Sequence, residues 1–269
     1  MLVAPFVYDG LQAKAAQAAG FEAVYMTGFG TAAARGYPDL GLLTLDEMVA
    51  NARVIARSVE VPVICDADTG YGNAINVQRT VRDYEATGAA AIHLEDQVWP
   101  KRCGFLEGKQ VIPSEEHVQK IRAACEARRD PAFVVIARTD ALAPNGWDDA
   151  ERRARAYREA GADLIFVDGI RTLEDLDAYV ERLGDLPLLY NGQLLPASEI
   201  ETRGFRLMIH SGTMLAGFAA MRDALRELAE TGAIAGGAEP RLFGALLELL
   251  GVREALERER DLARERSPG

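Results

Sequence analysis

Short apolar runs alternate with amphipathic segments along most of the chain. Eight of these runs read as strands buried on both faces, because each is a continuous stretch rich in branched and other apolar residues. The segments between them carry apolar residues at helical spacing, and helices are predicted over 43–58, 76–87, 114–128, 147–160 and 172–183. The predicted strands end near Asp9, Met26, Ala67, Glu95, Thr139, Val167, Tyr190 and His210.

A recurring glycine strengthens this alternation. Gly20, Gly88, Gly161 and Gly204 each close a helix-like segment just before an apolar run, the position where a left-handed residue ends a helix. Eight alternations of strand and helix predict an α/β fold of the (β/α)8 TIM-barrel type rather than an open doubly wound sheet. No Pro/Ser-rich linker divides the chain, so residues 1–269 are predicted to form one barrel domain.

Helical segments continue beyond the eighth strand. They are predicted over 212–231, 240–251 and 254–266, and the glycine-rich stretch "TGAIAGGAEP" separates the first from the second. We treat 232–269 as a C-terminal helical extension. A hinge of this kind allows the later helices to pack on a neighbouring subunit or to fold back on their own barrel.

Composition and charge limit the kinds of partner that the protein is expected to bind. A net charge of -11 argues against nucleic acid or an anionic membrane as the main partner. No apolar run of membrane-spanning length and no charged-then-apolar leader is visible in the sequence. The three cysteines lack CxxC spacing, which favours a reducing, cytoplasmic location, and Cys65 and Cys125 are expected to be ordinary buried residues.

Acidic residues accumulate where the predicted strands end. Seven carboxylates converge on the rim at which barrel enzymes carry their chemistry, with a single arginine, Arg138, among them. Carboxylates packed this closely repel one another unless some are protonated or a cation lies between them. Oxygen ligands without a His/Cys cluster favour Mg²⁺, with Mn²⁺ as an alternative, over zinc. The seven are Asp9, Asp66, Asp68, Glu95, Asp96, Asp140 and Asp168.

Five motifs carry a family resemblance. "YMTGFG", "DADTGYGN", "HLEDQ", "PKRCG" and "IARTDA", in this order and spacing, resemble the isocitrate lyase / phosphoenolpyruvate mutase superfamily over nearly the whole chain. The resemblance implies a Mg²⁺-dependent barrel enzyme that acts on small 2-oxo or 2-hydroxy carboxylic acids through an enolate-like intermediate. It also implies a homotetramer, or at least a dimer, that exchanges C-terminal helices between subunits.

The same resemblance implies roles for individual residues. Asp66 resembles the direct metal ligand. The carboxylates that resemble those holding the waters of the metal are Asp39, Asp68 and Glu95. Arg138 resembles the arginine that pairs with the substrate carboxylate, a suitable use of a bidentate guanidinium. The expected substrate contacts are Tyr25, Thr27, Gly28, Phe29, Asp39, Gly104, Phe105, Asp168, Asn191 and His210.

The "PKRCG" stretch suggests the reaction. In this superfamily the motif marks carbon–carbon lyases, where the thiol of a mobile loop protonates the departing carbanion, and phosphonate mutases lack the cysteine. Lys101 and Arg102 are expected to hold an anionic intermediate beside Cys103 and to favour proton transfer at cellular pH. Gly104 and Gly108 would let the loop open and close.

Three departures from the lyase pattern concern the variable end of the substrate. Phe105 stands where histidine is usual, Asp168 where glutamate is usual, and "NGQLLP" after Asn191 replaces a more polar stretch. These changes predict a preference for a distal group that is smaller or more apolar than in isocitrate or 2-methylisocitrate.

The leading hypothesis is a Mg²⁺-dependent lyase that splits a 2-hydroxy (or 2-oxo) dicarboxylate by a retro-aldol step and releases pyruvate, glyoxylate or a similar oxo acid. The alternatives are a phosphonate-handling mutase or hydrolase of the carboxyphosphonoenolpyruvate or phosphoenolpyruvate type, an oxaloacetate decarboxylase or hydrolase, and a non-catalytic protein on the same scaffold. The residue that removes the hydroxyl proton stays open. His93 is expected to be a barrel residue and His117 to lie on a polar helix face.

Overall fold

Eight short strands pair in chain order, β1 to β8, and close on themselves as a parallel barrel. The computed structural model describes residues 1–104, 106–235 and 240–265. The barrel strands are β1 (Leu2–Val7), β2 (Val24–Met26), β3 (Val63–Asp66), β4 (Ala91–Glu95), β5 (Val134–Thr139), β6 (Leu164–Val167), β7 (Leu188–Asn191) and β8 (Leu207–His210).

Helices follow the strands in the order that a (β/α)8 barrel requires. They are α1 (Gly10–Ala18), α2 (Gly28–Ala34), α3 (Leu45–Ala56), α4 (Ala74–Glu85), α5 (Ser114–Ala127), α6 (Leu142–Asn145), α7 (Trp147–Glu159), α8 (Leu173–Leu183), α9 (Ala197–Thr202), α10 (Gly212–Thr231), α11 (Pro240–Leu249) and α12 (Val252–Glu265). The predicted barrel is therefore confirmed.

The core has two layers, as expected for strands whose successive side chains point to opposite faces. One apolar cluster fills the barrel interior and includes Phe6, Tyr25, Ile64 and Phe166. The larger cluster lies between the strands and the surrounding helices. It includes residues next in sequence to those of the interior cluster, such as Val7 after Phe6. Every strand is thus buried on both faces, which explains why the strands lack a polar–apolar alternation.

Two side chains lie elsewhere than predicted. His117 has no exposed surface and packs on Tyr157 with 4.6 Å between ring centroids, so the prediction of a polar helix face was wrong. The buried face of α5 includes Ser114 and Lys120, and polarity alone therefore did not reveal which side faces the barrel. Cys65 is buried as predicted, whereas Cys125 is only half-buried.

The chain divides into two compact units, Met1–Met214 and Leu215–Gly269, and α10 crosses the boundary. The first unit is the barrel. The second holds the rest of α10 with α11 and α12, and the prediction of a single domain with an extension from 232 stays a prediction. Part of the hinge "AIAGGAEP", residues 236–239, lies outside the described residues. None of the helices described is long and apolar enough to span a membrane.

Candidate active site

A small cavity lies among side chains from the carboxyl ends of the strands and the loops that follow them. Its volume is about 40 Å³, which is room for roughly one water molecule. A dicarboxylate therefore cannot enter unless a lining segment moves. The lining residues are Phe6, Tyr25, Thr27, Phe29, Asp39, Asp66, Lys101, Cys103, Gly104, Arg138, Asp168 and Asn191. All of these except Phe6 were predicted from the sequence.

The turn after β2 brings backbone amides to this rim. Thr27 caps α2 by accepting a hydrogen bond from the amide of Gly30 at 3.2 Å. The Gly28 amide donates to Asp66 Oδ2 at 3.2 Å, and a Cβ at position 28 would lie 2.4 Å from that oxygen. Only glycine allows so close an approach. Gly28 was an expected substrate contact, and in this arrangement its amide is hydrogen-bonded to Asp66 instead.

Asp66 and Asp68 lie side by side at the end of β3. The Asp68 amide donates to Asp66 Oδ1 at 3.0 Å, and Asp68 adopts a left-handed backbone conformation (φ 45°). Burial opposes ionisation of Asp66, but His93, Lys101 and Arg138 outweigh it and lower the pKa of Asp66. Burial, only partly offset by Lys101, raises the pKa of Asp68 to about 6. The two carboxylates therefore bind protons very differently.

The burial of Glu95, at the end of β4, is only partly compensated by nearby cations. It has no exposed surface, and neither carboxyl oxygen has a hydrogen-bond partner. Arg138 Nη1 lies 3.4 Å away. Burial raises the pKa of Glu95 well above its ordinary value. A buried carboxyl without donors is a site that a cation would satisfy.

The donor chemistry of these three carboxyl groups fits a hard divalent cation. Asp66, Asp68 and Glu95 supply oxygen only, the preference of Mg²⁺. Lys101 presently neutralises part of the cluster, since its Nζ lies 2.5 Å from Asp39 Oδ1 and 2.9 Å from Asp68 Oδ1. Within the described part of the chain, no three His, Cys, Asp or Glu side chains converge tightly enough to form a preformed metal site.

Arg138 lines the same cavity and is held in place by Asp140. Its Nε and Nη2 donate to the two carboxylate oxygens of Asp140 at 2.9 and 3.0 Å. The guanidinium also lies 5.0 Å from the ring centroid of Phe166. Burial disfavours the charged form of Asp140, but Arg138 and Lys109 reverse this and lower its pKa. The sequence did not predict Asp140 as the residue that orients Arg138.

The loop after β4 carries Cys103 to the rim. Cys103 is 8% exposed, and its amide donates to the Asp39 carbonyl at 3.1 Å. Gly104 lies so close to Asp168 that a Cβ there would approach Oδ2 to 2.4 Å. Arg102 does not line the cavity in the part of the chain described; it is exposed and donates to the Glu107 carbonyl at 3.2 Å. Phe105 lies outside the described residues.

Asn191 at the end of β7 and His210 at the end of β8 were both predicted to contact substrate, but only one of them is among the described residues that line the cavity. Asn191 lines the cavity, and its Oδ1 is buried without a hydrogen-bond partner. His210 Nδ1 accepts from the Gly212 amide at 3.1 Å, and His210 is not among the described lining residues. Asn191 is therefore the better placed of the two to contact a ligand.

Tyr25 and His93 form a hydrogen-bonded pair next to Asp66, one of the carboxylates that could hold a metal. The Tyr25 hydroxyl is 2.6 Å from His93 Nε2, which in turn lies 3.5 Å from Asp66 Oδ1. Burial lowers the pKa of His93 to about 4, so the imidazole is neutral near pH 7. His93 is a barrel residue, as predicted, but its contact with a cavity residue was not foreseen.

A parallel barrel with carboxylates, an arginine and a loop thiol at its strand ends defines an enzyme of the superfamily that the sequence motifs resemble. The phosphoenolpyruvate phosphomutase family matches residues 1–229, and the chain belongs to that family. It is 41% identical to 2,3-dimethylmalate lyase of Eubacterium barkeri over 98% of this chain and 94% of the relative. It is 44% identical to 2-methylisocitrate lyase of Aeropyrum pernix over 86% of this chain and 77% of the relative.

Solved structures of relatives agree with this assignment. Oxaloacetate acetylhydrolase bound to 3,3-difluorooxalacetate matches with a TM-score of 0.91 and 41% identity, covering 98% of this chain and 92% of that one. Phosphonopyruvate hydrolase bound to oxalate and Mg²⁺ matches with a TM-score of 0.87 and 33% identity, covering 97% and 93%. The predictions of an enzyme and of this superfamily are confirmed, and relatives named as carbon–carbon lyases are among the most similar proteins.

Proposed function

We propose that the protein cleaves a carbon–carbon bond of a small 2-hydroxy dicarboxylate by a Mg²⁺-dependent retro-aldol step. The observation that carries the proposal is the position of Cys103. Its loop brings the thiol into the same cavity as Asp66 and Arg138, where a substrate anchored by its carboxylate would meet a proton donor. The similarity to dimethylmalate and methylisocitrate lyases supports the same reaction.

Arg138 would pair with the substrate carboxylate. Asp140 holds the guanidinium through two hydrogen bonds, so the orientation of Arg138 is set before a ligand arrives. A pre-oriented guanidinium loses little freedom on binding. Mg²⁺, held by Asp66, Asp68 and Glu95, would polarise the hydroxyl- or oxo-bearing end of the substrate.

Tyr25 and His93 would accept the hydroxyl proton. Burial raises the pKa of Tyr25 well above its ordinary value, so the phenol is protonated when substrate binds. Its proton can pass to neutral His93 at 2.6 Å while the phenol oxygen takes the proton of the substrate hydroxyl. As the carbon–oxygen double bond forms, the adjacent carbon–carbon bond breaks and its electron pair stays on the second product.

Cys103 would complete the reaction. Its thiol proton passes to the carbon that received the electron pair, which yields an oxo acid and a second carboxylate. The thiolate and the protonated His93 then restore their starting states by proton exchange with water. A closed loop favours this step, because excluding water prevents stray protonation and strengthens charge interactions.

A screen of candidate substrates tests the proposal. Malate, 2-methylmalate (citramalate), 2,3-dimethylmalate, oxaloacetate and phosphonopyruvate would each be incubated with the enzyme and Mg²⁺, and the products identified by NMR. We expect pyruvate or glyoxylate with a second carboxylate from a hydroxy acid whose distal group is small or apolar. Turnover of phosphonopyruvate alone would contradict the proposal.

Oxaloacetate hydrolysis is the second candidate. It is favoured by the similarity to oxaloacetate acetylhydrolase, whose TM-score is 0.91. The product separates the two reactions, since hydrolysis of oxaloacetate releases oxalate and acetate, whereas a lyase acting on a hydroxy acid releases an oxo acid. Release of oxalate from oxaloacetate, with no hydroxy acid cleaved, would favour the hydrolase.

We also propose that the protein is a homotetramer or dimer that exchanges C-terminal helices. The support is an apolar stripe on α10, formed by residues between 42% and 59% exposed: Leu215, Phe218, Met221, Leu225 and Leu228. Their spacing places them on one face, and exposed apolar faces of this kind mark interfaces. Leu242 and Phe243 on α11 are also exposed. Light scattering of the full chain and of a chain truncated before residue 240 tests this, and an active monomer in both would contradict it.

The cytoplasm is the compartment that we propose. Its support is that none of the three cysteines forms a disulfide. Fractionation of cells that produce the protein tests this location.

A further inference from the structure

Two buried lysines flank Cys103, and each bridges a pair of carboxylates on the barrel rim. Lys101, two residues before Cys103, contacts Asp39 and Asp68. Lys109, six residues after it, contacts Asp140 and Asp168, and both distances from its Nζ are 2.8 Å. The family motif drew attention only to Lys101. The lysine at the far end of the loop has no assigned role.

The burial of Lys109 shows that this contact is specific. Its side chain is 1% exposed, whereas exposed loop lysines keep their ammonium groups in water. Burial lowers its pKa, but Asp168 and Asp140 more than offset this and raise it, so the ammonium is charged. A buried ammonium of this kind is stable only while both carboxylates surround it.

The partners of Lys109 are also the partners of Arg138. Asp140 accepts two hydrogen bonds from Arg138, and Asp168 Oδ1 lies 3.5 Å from Arg138 Nη2. Lys109, Asp140, Arg138 and Asp168 thus form a closed ring of alternating charges. Gly104 lies on the same ring, where a Cβ would approach Asp168 and Arg138 to less than 3 Å.

Movement of the loop would break this ring. The cavity holds about 40 Å³ with the loop in place, so a dicarboxylate enters only when a lining segment moves. Withdrawal of Lys109 would leave Asp140 and Asp168 without their second cation. Its return restores the charge balance beside Arg138 at the moment when Cys103 reaches the cavity.

We propose that Lys109 is a positioning residue that holds the Cys103 loop against the rim and couples this closure to the orientation of Arg138. Its importance for turnover rests on the proposed function, which gives Cys103 and Arg138 their roles. The closure itself does not, because it can be measured in the absence of substrate.

The test measures how fast iodoacetamide alkylates each cysteine, by peptide mass spectrometry of the intact, ligand-free chain. Cys103 is 8% exposed in the closed arrangement. We expect Lys109→Met to accelerate alkylation of Cys103 at least tenfold, the order expected when hydrogen bonds to charged groups are lost. Lys109→Arg, which keeps the charge, should recover most of the protection, and Lys14→Met is the control for loss of a distant lysine.

Cys65 provides the internal reference. It is fully buried in the barrel, so general loosening of the fold would accelerate its alkylation as well. The proposal expects Cys103 alone to respond. Equal alkylation of Cys103 in Lys109→Met and parent, or parallel acceleration of Cys65, would overturn it. If Lys109→Met does not fold, Lys109→Gln provides the same comparison.

Turnover separates this proposal from the proposed function. On a substrate that the parent cleaves, Lys109→Met should lower kcat at least tenfold with a smaller change in KM, and Lys109→Arg should restore part of kcat. If the parent cleaves none of the candidate substrates, the lyase proposal is overturned. The alkylation rates of Cys103 then still test whether Lys109 holds the loop closed.

Discussion

Gly104→Ala is the most informative single substitution, because one added methyl group would meet only the rim of the active site. A Cβ at residue 104 would lie 2.4 Å from Asp168 Oδ2 and 2.9 Å from Arg138 Nη2. Ordinary van der Waals contact for a Cβ begins at 3.4 Å, so the loop or Asp168 has to move by roughly 1 Å. Asp168 cannot yield freely, since Lys109 holds its Oδ2 at 2.8 Å.

The expected magnitude follows from this crowding. Overpacking by one methyl group costs about 1–3 kcal/mol. If the whole cost falls on the closed loop, the closed population and kcat/KM fall about 5- to 150-fold. Melting temperature should change little, because the loop can relieve the clash by opening.

The assay is release of the oxo acid, followed through a coupled dehydrogenase, with thermal unfolding measured in parallel. Gly217→Ala is the matched control: it adds the same methyl group in a helix, where nothing lies within 4 Å of the new Cβ. The reasoning is refuted if Gly104→Ala retains the parent kcat/KM, or if it loses activity only in proportion to lost folded protein.

Three further predictions concern single side chains. Cys103→Ser should bind oxalate with Mg²⁺ as the parent does by calorimetry yet lose turnover about 10²- to 10⁴-fold, since an alcohol is a much weaker acid than a thiol; undiminished turnover would make the thiol dispensable. Tyr25→Phe removes the hydroxyl at 2.6 Å from His93, and kcat should fall about 10²-fold or more while oxalate binding persists; an unchanged kcat would exclude the proposed proton path. Burial lowers the pKa of His117 to about 3, so the unfolded chain binds a proton more tightly at this residue than the folded protein does. Keeping His117 neutral therefore costs the folded protein nothing above the unfolded pKa, and the free energy of unfolding falls as pH drops from there towards 3. His117→Phe should therefore shrink the loss of unfolding free energy between pH 7 and 5 by about 2 kcal/mol in urea titrations, and an identical loss in both proteins would contradict this.

The barrel could be predicted because its strands are buried on both faces and separated by amphipathic helices. Seven of the eight predicted strand ends lie within one residue of the observed ends, and the exception is β1, which ends at Val7 rather than near Asp9. Two short helices escaped prediction. α2 contains two glycines and α6 contains a proline, so neither shows the apolar period of a longer helix.

The site residues that could be predicted are those whose place in the barrel follows from their place in the sequence, at the ends of strands. Carboxylates at strand ends must meet at one rim, which explains why Asp66, Arg138 and Asp168 were found from the pattern and the family motifs. Lys109 was missed because its partners, Asp140 and Asp168, lie 31 and 59 residues away. Arg102 is next to Cys103 in the sequence, but its guanidinium donates to the Glu107 carbonyl and does not line the cavity among the described residues. Its predicted role stays a prediction.

The most direct test of the lyase proposal is cleavage of 2,3-dimethylmalate, or of whichever hydroxy acid the screen selects, in D₂O with Mg²⁺, with products analysed by NMR and mass spectrometry. The proposal predicts one equivalent of oxo acid and one of a second carboxylate that carries a single deuterium at the carbon freed by cleavage, formed by the parent and strongly reduced in Cys103→Ser. Products without that deuterium, or oxalate and acetate from oxaloacetate as the only detectable turnover, would contradict it.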